Sequence, residues 1–135
     1  MSTIYCTEKY GIQPNIKAII MTASVSAHNG AEFPEYCASK GGVLAYTKNV
    51  ALRVAKYGAT CNSISAGGVI TELNAHILEN KSLWDQVMAE TLIPKWATVE
   101  EMAEWTYFLA VVNKSMTAQD VLIDNGEIAK ANFVW

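Results

Sequence analysis

The sequence contains no run of Lys or Arg, and its 13 acidic residues outnumber its 10 basic ones, for a formal net charge of −3. A surface that tracks phosphates is therefore not expected, and nucleic acid is not an expected partner. Cysteine is scarce: Cys6, Cys37 and Cys61 are odd in number, far apart and free of any C-x-x-C spacing. That pattern suits small apolar side chains in a reducing compartment, not a disulfide frame or a zinc site. No apolar run approaches the length of a membrane span, and M-S-T-I-Y-C-T-E-K-Y lacks the layout of a secretory leader. The expectation is a cytoplasmic protein with no membrane partner and no metal. Also missing are internal repeats, low-complexity stretches, linkers and a G-x-S-x-G elbow for a hydrolytic serine.

What is present describes a globular chain. Its 135 residues suffice for one domain and are too few for two. Hydrophobic residues make up 51% of it and charged residues 17%. A chain of that balance is neither disordered nor fibrous.

Residues 1–10 read as the end of a helix stopped by Gly11, and Gln13-Pro14-Asn15 as a turn. The nearly continuous apolar run Ala18 to Ala23 predicts a strand buried on both faces of a parallel sheet. Residues 25–35, with Gly30 and Pro34, predict a loop at its carboxyl end, where open α/β sheets place ligands. A helix is predicted from Glu35 to Tyr57. Val43, Tyr46, Val50, Val54 and Tyr57 line one face, small residues such as Ala38, Gly41 and Ala45 lie beside them, and Gly58 stops it. Thr60 to Ser65 is a weak strand by content, followed by a bend at Ala66-Gly67-Gly68. Residues 71–91 predict one or two helices. Thr98 and Glu101 form a capping box before a helix expected to bury Met102, Trp105, Thr106, Leu109 and Val112. Asp120 to Asp124 is a last strand, closed by a turn at Asn125-Gly126.

Chemistry concentrates in S-V-S-A-H-N-G-A-E-F-P-E-Y-C-A-S-K, residues 24–40. Tyr36 and Lys40 are four apart, hence on one helical face. A free tyrosine titrates at about 10; a neighbouring ammonium favours the phenolate and draws the group toward the working range. Ser24, at the end of the apolar run, presents a hydroxyl that can bond a carbonyl oxygen held between it and the phenol. An exposed aromatic with a snorkelling lysine is the alternative for the bare pair.

The order strand, Ser24, loop, Y-C-A-S-K-G-G from Tyr36, long helix, then N-S-I-S-A-G-G-V-I-T from Asn62, resembles a short-chain dehydrogenase/reductase. The resemblance runs on through P-K-W-A-T-V-E-E-M-A-E from Pro94 to M-T-A-Q-D-V-L-I-D-N-G ending at Gly126. It implies an α/β fold, the C-terminal part of a doubly wound, mostly parallel Rossmann-like sheet with flanking helices, residues 1–135 forming one partial domain. It implies an NAD(P)-dependent oxidoreductase that moves hydride between nicotinamide and a secondary alcohol or ketone. In it Tyr36 is the acid–base, Lys40 tunes Tyr36 and holds the nicotinamide ribose, and Ser24 orients the substrate carbonyl. Ser24 stands nearer to Tyr36 than the family spacing by a single position, which leaves Ser26 as its rival. Thr71 is implied for the carboxamide, with an N-cap role as the alternative, and Gly67, Gly68, Val69 and Ile70 for close passage by the nicotinamide.

Asn62 is expected to be structural, His28 to be a surface residue, and Trp84 and Trp96 to pack in the core. Ala66-Gly67 stands where the family has proline-glycine, so the fixed φ is lost. No glycine-rich dinucleotide turn, G-x-G-x-x-G or G-x-x-x-G-x-G, occurs in the sequence. The resemblance therefore covers the catalytic half, and the expected partners are an N-terminal half or second chain, a small alcohol or carbonyl compound, and further copies of the chain meeting along the helix 35–57. A catalytically silent binding or oligomerisation module is the competing expectation.

Overall fold

The computed structural model describes residues 3–130. Three strands, β1 (Ala18–Thr22), β2 (Thr60–Ala66) and β3 (Asp120–Ile123), form an all-parallel sheet in the order β1-β2-β3. Ala18 pairs with Thr60 and Ser63 with Asp120, so each connection is a long crossover, as parallel strands require.

A short helix α1 (Thr3–Cys6) runs into a π-helical turn, Thr7–Gly11, before β1. After β1 come α2 (Ser26–Asn29) and the 21-residue helix α3 (Pro34–Val54), finished by a 3₁₀ turn, Ala55–Tyr57. Proline at the first turn of α3 costs no hydrogen bond. Gly58 ends the element in the left-handed region, with φ +67 degrees, the conformation glycine adopts without strain. Between β2 and β3 lie a 3₁₀ turn at Glu72–Asn74, then α4 (Ala75–Leu78), α5 (Lys81–Met88) and α6 (Val99–Tyr107). A π-helical turn, Phe108–Val112, extends α6. No helix among the described residues is long and apolar enough to cross a membrane.

The core joins α3 to the sheet. Val50 and Val54 are fully buried against Met21, Ala51, Ala59 and Cys61, and Val43, Tyr46 and Tyr57 pack around them. This is the apolar line expected from sequence. Burial pushes the Cys61 thiol up to about 11, which keeps it protonated and inert. All three cysteines are free, and only Cys61 is buried. The opposite side of α3 is open, with Leu52 79% exposed. Glu8 accepts from Arg53 Nη2 at 2.6 Å and from Tyr46 Oη at 3.0 Å, fastening the turn after α1 to α3. The Arg53 guanidinium, then the Tyr46 hydroxyl, lower the Glu8 carboxyl below its ordinary range.

Three expectations need correction. β1 is not buried on both faces: only Met21 is fully buried and Thr22 is exposed, because β1 is an edge strand of a three-stranded sheet. Residues 25–35 are not wholly loop, since Ser26–Asn29 make one helical turn that closes on Gly30, another left-handed glycine. The helix after Thr98 does not bury its whole stripe. Leu109 is fully buried, but Trp105 is 43% and Val112 50% exposed, because three short strands offer less surface than the stripe covers. The capping box forms as read: Glu101 N–H donates to Thr98 Oγ1 at 3.2 Å, and Thr98 N–H to Glu101 Oε2 at 2.9 Å. Thr98→Ala is expected to lower unfolding free energy by about 1 kcal/mol, read as a lower urea midpoint at unchanged slope. An unchanged midpoint would show that the box is idle.

Candidate active site

The main chain holds its parallel pairing past the end of β1, Ala23 N–H bonding Ile64 O and Val25 N–H bonding Ala66 O. Ser24 lies between these bonds, at the carboxyl end of the strand and nearly buried. Its Oγ donates to Ser26 Oγ at 3.1 Å and accepts from the Ser26 amide at 3.2 Å. The two rival serines are thus one hydrogen-bonded unit at the start of α2.

Tyr36 sits in the first turn of α3, 41% exposed. One turn later, the Lys40 ammonium lies 5.6 Å from the centroid of the Tyr36 ring and donates to Thr22 O, the last carbonyl of β1, at 3.0 Å. A cation over an aromatic face is attracted by the ring quadrupole. Lys40 is therefore held between strand end and ring with its remaining N–H donors free to turn. An open cleft of about 590 Å³ collects these groups: Ser24, Ser26, Tyr36 and Lys40 all line it.

From the segment after β2 the cleft receives Gly67, Gly68, Val69 and Thr71, but not Ile70. Ile70 points its amide to Ala97 O at 2.9 Å, continuing the short parallel bridge between Val69 and Ala97. Thr71 occupies the N-cap position of the turn Glu72–Asn74 without a side-chain capping bond. Asn74 reaches back instead, its Nδ2 donating to Val69 O at 2.8 Å and to Thr71 Oγ1 at 3.4 Å. The glycines have an internal reason to be small. A Cβ on Gly67 would stand 2.9 Å from Asp124 Cα and from Glu127 Oε2, and one on Gly68 would stand 2.0 Å from Trp96 Nε1.

Trp96 is buried as expected, and it also lines the cleft. Trp84 meets it edge-on, with ring centroids 5.4 Å apart. Asn62 is structural: its Nδ2 donates to Met116 O and its Oδ1 accepts from Gln119 N–H, stitching β2 to the approach of β3. His28 is exposed, as expected, and it also has partners across the sheet. Its Nε2 lies 2.8 Å from Asp120 Oδ2 and 3.3 Å from Ser65 Oγ. One ring nitrogen facing both partners, with Ser65 fully buried, is not the relay of a hydrolytic triad, which uses both nitrogens. Sequence reasoning missed Glu32, Glu90 and Glu127, which also line the cleft from three separate segments. Burial, then Asp124, Glu90 and Glu32 in turn, raise the Glu127 carboxyl above its ordinary value. No group of three metal-ligating side chains occurs among the described residues.

A family model described as enoyl-(acyl carrier protein) reductase matches residues 2–127. The chain is 28% identical over 110 residues to an L-rhamnose 1-dehydrogenase (NADP(+)) of Thermoplasma acidophilum, covering 80% of this chain and 43% of the relative. It is 31% identical over 133 residues to a 3-oxoacyl-(acyl-carrier-protein) reductase of Chlamydia pneumoniae, covering 93% and 52%. Among solved structures, a short-chain type dehydrogenase/reductase from Mycobacterium marinum superposes with a TM-score of 0.79 at 28% identity, over 94% of this chain and 52% of that one. The chain spans about half the length of the curated relatives it matches.

Proposed function

The chain belongs to the short-chain dehydrogenase/reductase family, its parallel sheet being part of a Rossmann-like fold, and on that premise we propose that it is the catalytic half of an NAD(P)-dependent oxidoreductase acting on a secondary alcohol or ketone. The observation that carries this reading is the meeting of Ser24, Tyr36 and Lys40 at the carboxyl end of β1, in one open cleft. Tyr36 Oη gives or takes the proton at the substrate oxygen. The Ser24–Ser26 unit offers a hydroxyl donor to the same oxygen and holds the carbonyl in place. The Lys40 ammonium, held by Thr22 O, lies beside the Tyr36 ring in the same cleft.

The donor set fits the nicotinamide–ribose end of a dinucleotide: Lys40 and Tyr36 for ribose hydroxyls, and Thr71 with the 67–69 backbone for the ring and its carboxamide. When bound, the nicotinamide supplies or accepts the hydride. The phosphate end is not provided for in the same way. Among the described residues Lys40 is the one basic side chain lining the cleft, and the sequence has no glycine-rich turn opening a helix to receive pyrophosphate. Activity accordingly requires the dinucleotide-binding half, joined or as a second chain. Self-association along α3, where Ala38, Ala45 and Leu52 lie exposed, belongs to the same reading.

The test is calorimetric titration with NAD(H) and NADP(H). A few contacts at one end of the ligand must outweigh an association cost of several kcal/mol. The expected result is no measurable binding by this chain alone, and binding once the other half is supplied. Micromolar affinity of the chain alone would overturn the half-site reading.

A further inference from the structure

The Ser24–Tyr36–Lys40 set calls for a carbonyl or alcohol in the cleft but leaves the rest of that molecule unspecified. Its charge is legible from the other lining residues. Glu32 comes from the segment before α3, Glu90 from the end of α5 and Glu127 from the turn after β3; all three face the same space. None forms an ion pair among the described residues, where the pairs are His28–Asp120, Arg53–Glu8, Lys81–Asp85 and Lys95–Glu101. Against these carboxylates stands Lys40, held by Thr22 O beside Tyr36. The Glu127 carboxylate lies close over Gly67, itself part of the lining.

Resting on the oxidoreductase reading of the cleft, we propose that its substrate is an uncharged, polyhydroxylated alcohol or carbonyl compound, and that Glu32, Glu90 and Glu127 select it by accepting its hydroxyls and repelling anions. A carboxylate or phosphate substituent placed among them meets like charge from three sides of the open cleft, a repulsion that acts at low salt and that added salt screens. A hydroxyl instead gives each carboxylate a donor, and hydrogen bonds to charged acceptors are the stronger kind. Burial and the neighbouring acidic groups raise the Glu127 carboxyl, consistent with an excess of negative charge that the chain does not neutralise itself. A cationic substituent would satisfy the glutamates but set like charge against Lys40 beside the reacting oxygen.

The experiment is a ¹H–¹⁵N titration of the full chain with glucose and sorbitol as neutral probes, gluconate as the anion and glucosamine as the cation. Shifts are followed at the amides of Gly67, Gly68 and Glu127. The neutral probes are expected to shift these amides, with gluconate at least about tenfold weaker at low salt. That gap should narrow with added salt and in the triple variant Glu32→Gln, Glu90→Gln, Glu127→Gln. Gluconate binding as tightly as glucose, glucosamine binding about tenfold tighter than glucose, or no probe shifting these amides would each overturn the proposal. Sugar binding without oxidation in the complete, dinucleotide-supplied enzyme would defeat the oxidoreductase reading and leave this one standing. Turnover of gluconate in preference to sorbitol would do the reverse.

Discussion

Replacing Tyr36 by phenylalanine in the chain supplied with a dinucleotide-binding half should lower turnover by about 10²- to 10⁴-fold, the contribution of a positioned proton donor. The substitution removes one oxygen and little else. Tyr36 is 41% exposed, so no buried partner loses a bond, and a phenyl ring keeps the face over which the Lys40 ammonium lies at 5.6 Å. Lys40 also keeps its bond to Thr22 O. Substrate affinity and the unfolding midpoint should therefore stay close to the parent values while kcat falls, the signature of an interaction made in the transition state. Near-normal kcat in Tyr36→Phe would mean that the proton comes from another group.

The second large effect is structural. In Gly68→Ala the new methyl would stand 2.0 Å from Trp96 Nε1 and 2.2 Å from Cδ1 and Cε2, distances that real contacts do not reach. The indole cannot yield by rotating a flexible tip: it is buried, and Trp84 abuts it edge-on. Either Trp96 leaves its seat or the strip 67–70 lifts from Ala97, breaking the bonds Ala97 N–H to Gly68 O and Ile70 N–H to Ala97 O. Overpacking of this kind costs about 1–3 kcal/mol, and here it also removes part of the cleft lining. The measurement is urea unfolding followed by tryptophan emission. Gly42→Ala is the control. It lies within α3, an added Cβ meets nothing within 4 Å, and its φ is ordinary. Alanine there should stabilise by about 0.5–1 kcal/mol. A Gly68→Ala variant as stable as the parent would show that Trp96 is not seated as described.

These contrasts bear on how far the sequence can be read. α3 is legible because Val43, Tyr46, Val50 and Val54 repeat at its own period and Gly58 supplies the left-handed stop. The capping box is legible because both partners lie within one turn. β2 is not legible from content, since its interior holds Asn62, Ser63 and Ser65, all buried. Their polarity is satisfied by groups distant in the chain: Asn62 by Met116 and Gln119, Ser63 by Asp120, and Ser65 by His28. A local window does not register such partners. The same holds for the cleft. Tyr36 and Lys40 declare themselves by spacing, whereas Glu32, Glu90 and Glu127 have no common period and meet only through the crossovers. The pairing of the exposed His28 is equally hidden from a local window, because its partner, Asp120, starts the last strand. The stripe of α6 promises more burial than it delivers because amphipathicity reports that a face is apolar, not that a surface exists to cover it.

The parallel order β1-β2-β3 also sets a sequence of events in time. Pairing Ala18 with Thr60, and then Ser63 with Asp120, demands closure of two long loops, and the entropy of each closure precedes any reward from the ladder. α3, whose bonds are local, can form early and bring β1 to β2. The second closure is the longer one, and it carries the strip 67–71, Trp96 and Glu127 with it. Loop-closure entropy alone therefore predicts that Ser24, Tyr36 and Lys40 come together before the other wall of the cleft forms. During synthesis a half-built chain is thus expected to show the solvent the uncovered faces of β1 and β2 before it offers any ligand a place to bind, and that interval is when mispairing is most expected.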